Sequence, residues 1–234
     1  MPEFDWKCET GKYVPRLRTI LNDLHINADL FKEMPTAPFA NTPPEPSRLA
    51  WLISAACLEA LASVHENLRG LISEWEAGRV LNAAVLTRSI FELWSFSHYV
   101  RVELFGLASS DGRLERLWHG SSSSVKLPGG GYSTDPPIGV REYVESLKSE
   151  YANAGQEYSF LCDAAHPTLL QHKYLRMAGE HEDNWSNEIF RAHAHEILGR
   201  LAEIAERASL GTKGDAVVVL TDSIPKLRLI DGTP

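Results

Sequence analysis

The chain has few cysteines, little positive charge and no long uncharged apolar run, and each shortage removes a class of protein. Its three cysteines, Cys8, Cys57 and Cys162, are odd in number and have no C-x-x-C spacing, which argues against a disulfide framework. Cys57 and Cys162 fall in apolar helical surroundings, where a free thiol acts as a small hydrophobe, so a reducing cytoplasm is the natural expectation. There are 23 basic against 31 acidic side chains, a net charge of −8, with the basic residues scattered. That balance repels nucleic-acid backbones and anionic lipid surfaces in the mean field. The richest apolar window, 83–100 (AAVLTRSIFELWSFSHYV), is interrupted by Arg88, Glu92 and His98. It therefore falls short of the ~18–20 uncharged residues of a membrane span and reads as a core helix, with no membrane association expected. The first residues (MPEFDWKCETGKY) lack the basic and apolar regions of a signal peptide. Glycines 129–131 lack the Lys-Ser/Thr of a phosphate loop, and serines 121–124 lack a G-x-S-x-G elbow.

What is present is the composition of a folded helical chain, 44% hydrophobic and 23% charged over 234 residues. Residues 15–33 carry Leu17, Ile20, Leu21, Leu24, Leu30 and Phe31 at helical spacing behind Pro15, and the five prolines of 34–46 follow as a linker. From Ser47, expected as the cap, Leu49, Ile53, Ala56, Ala60, Val64, Leu68, Leu71, Ile72 and Trp75 keep one face apolar to Gly78, the expected C-terminal glycine. A second long helix over 79–107 follows after so short a turn that the two should pack antiparallel. The Ser-, Gly- and Pro-rich segment 119–137 reads as a flexible loop, either slack or a lid. Another helix is expected from Pro136-Pro137 to about Ala154, with Gly155 dividing it from a segment 156–165. The last, over 187–210, carries Phe190, Ala194, Ile197, Leu201, Ile204 and Ala208 and should end at Gly211. Residues 216–220 (AVVVL) and 226–230 (KLRLI) have strand-like composition, compatible with a small hairpin. The expected fold is an all-α helical bundle of five or six helices, with a short C-terminal β-hairpin as an option. Its expected organisation is an N-terminal helix and linker (1–46), the bundle (47–211) and a tail (212–234).

Two segments carry the polar candidates. Arg88 and Glu92 stand one turn apart in the apolar helix, and their order, basic before acidic, is the weaker one for an intrahelical pair. Each should therefore also reach another helix, either as a buried staple that sets register or as part of a site. Tyr158, Asp163 and His166 form the second group, with His166 at a helix end before Pro167. The functional reading makes His166 a general acid/base oriented by Asp163, with Arg88 stabilising negative charge; the structural reading makes His166 a helix-capping residue. A metal set is not expected, nor any cofactor. His172, His181, Glu182, Asp183, His193, His195 and Glu196 contain no H-E-x-x-H, and His193 and His195 point to different sides of a helix.

The pairing of 86–94 (LTRSIFELW) with 158–167 (YSFLCDAAHP) resembles a family of all-helical bacterial proteins with R-(S/A)-x-x-E on one helix and Y-x-x-L-(S/C)-x-x-x-H-P on another. Arg88, Glu92, Tyr158 and His166 are the matching positions. The resemblance implies a cytoplasmic bacterial bundle and carries no activity. A looser similarity is to HEPN-type bundles, metal-independent ribonucleases of toxin and phage-defence systems that use R-x4-6-H. Arg176 and His181 fit that count, whereas Arg88 and His98 do not. Two functional expectations follow. The first is a non-enzymatic interaction or regulatory protein, meeting a second copy or a protein partner through the last helix or the tail. The alternative is a HEPN-like ribonuclease or nucleotide-cleaving enzyme, the only reading that makes RNA a partner.

Overall fold

The structure is a computed structural model that describes residues 5–24, 45–104, 139–165 and 184–223. Within them lie seven α-helices and no strand: α1 (Trp6–Gly11), α2 (Val14–Asp23), α3 (Glu45–Glu76), α4 (Val80–Tyr99), α5 (Val140–Leu147), α6 (Ala154–Ala165) and α7 (Asn184–Val218). Two π-helical turns, Val100–Leu104 and Val219–Ser223, continue α4 and α7. The fold is an all-α bundle. No helix among the described residues is long and apolar enough to cross a membrane.

The frame is the α3–α4 hairpin. Ala56, Cys57, Ala60, Leu61, Val64, Leu68, Leu71, Ile72 and Trp75 bury one stripe of α3 at three- and four-residue steps. Gly78, with φ of +72°, turns the chain, a conformation that glycine adopts without the Cβ penalty. Antiparallel pairing follows from three cross-contacts: Asn67 with Ser89, Gly70 against Leu86, and Glu74 with Asn82, each step back on α3 matching a step forward on α4. Arg79 closes the turn by gripping Glu74 with Nε at 2.6 Å and Nη2 at 2.9 Å. Those hydrogen bonds from Arg79, with one from Asn82, hold the Glu74 carboxyl at about 2, below its ordinary 4.5. A depressed carboxyl stabilises the fold above its unfolded value and ceases to as pH falls through its folded one. An acid titration of unfolding should therefore show Glu74→Gln losing less stability than the wild type between pH 4.5 and 2. Parallel curves would mean that the grip is absent in solution.

Helix α4 is the hub, packed against α3, α5, α6 and α7. This is why it is apolar nearly all round: Ala83, Ala84, Ile90, Phe91, Trp94, Tyr99 and Val100 are buried on different sides of it. Two of its buried hydroxyls bond back to their own helix, Thr87 to the Ala83 carbonyl and Ser95 to that of Phe91, both at 2.9 Å. At the base, Asp5 caps α1 by accepting from the Cys8 amide, and buried Thr10 donates to the Trp75 carbonyl at 2.5 Å.

Several boundaries differ from those expected. The long helix starts at Glu45, so Ser47 lies inside its first turn rather than capping it. Helix α2 ends at Asp23, and 25–33 lie outside the described residues. Helix α5 ends at Leu147, and the break before α6 is the turn 148–153, which leaves Gly155 inside the first turn of α6. The largest correction is at the C-terminus. Helix α7 passes through Gly211 to Val218, so 216–220 form helix and π turn instead of the first strand of a hairpin. The stripe Ala208, Thr212, Asp215, Ala216, Val219 stays buried at helical spacing and holds this segment on the bundle. The partner segment 226–230 and the loop 119–137 lie outside the described residues.

Candidate functional site

Three of the five polar candidates meet. On α4, Arg88 Nε donates to Glu92 Oε1 at 2.8 Å. From α6, the Tyr158 hydroxyl donates to the same Glu92 oxygen at 3.1 Å and lies 3.3 Å from Arg88 Nη2. The ring of Tyr158 also stacks on Phe91, centroids 6.4 Å apart. Guanidinium, carboxylate and phenol thus form a closed ring that ties α6 to the hub. It lies at the edge of the core, with Arg88 and Glu92 side chains 25% and 28% exposed. Burial, then the charge of Glu92, pushes the Tyr158 phenol up to about 12, so it stays protonated and serves as a donor. Asp163 is exposed, five residues beyond Tyr158 and so about 140° further round α6. His166, Arg176 and His181 lie outside the described residues.

A second polar centre escaped the sequence reading. His98, at the end of α4, is 1% exposed. Asp215, on α7, is 5% exposed. Arg101, in the π turn after α4, reaches between them: Nε donates to Asp215 Oδ1 at 2.5 Å and Nη2 lies 3.1 Å from His98 Nδ1. The same Nη2 donates to Glu150, which projects from the turn after α5. His98 Nε2 faces Ser149 Oγ at 3.4 Å. Burial pushes the Asp215 carboxyl up to about 6 although Arg101 pulls the other way. Its second oxygen, Oδ2, is buried and has no hydrogen-bond partner among the described residues. Cys57, on α3, belongs to the same interior; burial and then the charge of Asp215 push its thiol up to about 12, which makes it a poor nucleophile.

The one available signal was positional. His98 and Arg101 are three residues apart, and Asp215 falls on the stripe that continues from Ala208 and Thr212. Of the histidines weighed as ligands, His195 is exposed and pairs with Glu9 across to α1 at 3.2 Å. An open groove of about 480 Å³ between α2 and α3, lined by Arg18, Leu21, Arg69, Ile72 and Glu76, contains none of the candidates. Comparisons with protein-family models, curated proteins and solved structures find no match for the chain.

Proposed function

We propose that the chain is a non-enzymatic helical interaction or regulatory protein whose Arg88–Glu92–Tyr158 ring is a structural tie. The observation that carries this reading is the closure of that ring: Arg88 donates to Glu92, and Tyr158 donates to the same carboxylate oxygen from another helix. Arg88 Nε and Nη2 are already engaged by Glu92 and Tyr158, so a phosphate at Arg88 would compete with the ring that fixes α6 against α4. Exposed apolar side chains on the surface, Leu210 and Val217 two turns apart on α7, offer a contact face for a second copy of the chain.

The test separates tie from catalyst. Arg88→Ala should lower the free energy of unfolding by about 1–2 kcal/mol, because it strands Glu92 at a partly buried edge. Total RNA incubated with the wild type should stay intact. RNA cleavage by the wild type that disappears in His166→Ala with an unchanged thermal midpoint would replace this reading by the metal-independent ribonuclease.

A further inference from the structure

The second polar centre brings three metal-type donors together from three separate parts of the fold. His98, Glu150 and Asp215 each offer one ligand atom, and these atoms lie within 4.8 Å of one another. The imidazole nitrogen is 3.4 Å from the Glu150 oxygen and 4.0 Å from the Asp215 oxygen. Donors about 2.0–2.2 Å from a shared tetrahedral ion stand roughly 3.3–3.6 Å apart, so the His98–Glu150 spacing already fits and Asp215 has to close in as the ion enters. We propose that His98, Glu150 and Asp215 form a binding site for a divalent transition-metal cation of the zinc class, which enters by displacing the Arg101 guanidinium.

Four observations support the site. A cation already occupies it, since Arg101 touches all three donor atoms. A guanidinium can only donate, so its contact makes His98 Nδ1 the acceptor and leaves the ring proton on Nε2, facing Ser149. That is the tautomer a metal ligated through Nδ1 requires, with Ser149 placed to orient the ring. Next, Asp215 Oδ2 is buried without a hydrogen-bond partner among the described residues, a coordination position that an ion held by both carboxylate oxygens would fill. The charges also argue for exchange: one guanidinium faces two carboxylates, and a dication in its place balances them. Finally, there is a way in, because the Glu150 side chain is 57% exposed and that of Arg101 24%. The imidazole sets the class of ion, favouring zinc, cobalt or nickel over magnesium and calcium, which prefer oxygen donors throughout.

Cobalt(II) is the probe, because its ligand-field bands report coordination directly. Titrated into chelator-stripped protein, it should give visible bands that saturate at one equivalent and disappear on adding zinc, while magnesium leaves them unchanged. Glu150→Gln, at an exposed position where the fold tolerates change, should weaken binding by about tenfold or more. His98→Gln and Asp215→Asn should abolish the bands. Arg101→Gln, which removes the resident cation, should tighten binding by about tenfold, and zinc should raise its thermal midpoint more than that of the wild type. Absence of bands in the wild type at millimolar cobalt overturns the proposal, as does binding seen only in Arg101→Gln. Bands that survive unchanged in Glu150→Gln and Asp215→Asn also overturn it, by assigning the ion to other histidines.

Discussion

Arg101→Met should cost the fold about 3 kcal/mol at pH 8, measured by denaturant unfolding, although it removes a side chain that is itself partly exposed. The loss comes from what the arginine leaves behind. Asp215 is 5% exposed, and its only described ionic partner besides His98 is Arg101, at 2.5 Å. Stranding one member of a buried pair costs about 3–5 kcal/mol, and water reaching Asp215 through the vacated channel places this case at the lower end. The same argument fixes the pH dependence. Even with Arg101 in place, burial holds the folded-state carboxyl at about 6, above its ordinary 3.8. A carboxyl raised by folding costs stability as pH rises from its unfolded to its folded value. Below about pH 6 both proteins carry Asp215 protonated when folded, and the difference between them is small. Above it, the wild type has no more to lose at this position while the variant continues to lose, so the deficit opens as pH rises through 6. Adding Asp215→Asn to Arg101→Met should recover most of the loss, because the uncompensated charge disappears. A deficit below about 1 kcal/mol at pH 8, or one that is the same at pH 5, would place the pair among ordinary surface ion pairs.

How much of this was legible from sequence follows from where each signal lies. The α3–α4 hairpin could be read because one apolar period runs unbroken from Ala56 to Trp75 and stops at a glycine that the turn requires. The meeting of Arg88, Glu92 and Tyr158 had a local sign, two charges in an otherwise apolar helix. The second centre had only a weak one: His98 interrupts that same apolar helix, with Arg101 three residues on. Its members stand at 98, 101, 150 and 215, far apart in the chain: His98 and Arg101 fall within one expected helix, Glu150 within another and Asp215 in the tail. The packing of both α5 and α7 along α4 brings them together. The packing of α7 was hidden because 216–220 reads as strand by composition, while the helical stripe beneath it passes through polar Thr212 and Asp215. Burial overrode local propensity, as it does when a segment has a prepared surface to dock on.

Gly211 carries the same lesson in its strongest form, and Gly211→Ala should destabilise the protein by about 3 kcal/mol, at the upper end of overpacking costs. In an ordinary helix interior the substitution goes the other way, since alanine is favoured over glycine by about 1 kcal/mol. Here a Cβ at 211 would stand 2.2 Å from Trp94 Nε1 and 2.3 Å from Cε2. The indole cannot yield. Trp94 is buried, packs edge-on against Phe91 with centroids 5.8 Å apart, and lies 5.7 Å from the ring of Tyr151. Helices α4 and α7 would have to separate instead, which loosens Asp215 one turn further along. The glycine is therefore the place where two long helices cross closely, and α7 runs through it because its neighbour fills the space a side chain would take. Gly214, three residues on in the same helix, supplies the control: nothing lies within 4 Å of its Cβ position. Gly214→Ala should raise stability by about 0.5–1 kcal/mol, as helix propensity alone dictates. Opposite signs at two glycines so near each other require both a helix through this segment and an indole against one face of it. If Gly211→Ala stabilises as Gly214→Ala does, the crossing is not close; if neither gains, the segment is not helical. A partial rescue of Gly211→Ala by Trp94→Phe, read as a favourable coupling in the double-mutant cycle, would assign the clash to the indole itself.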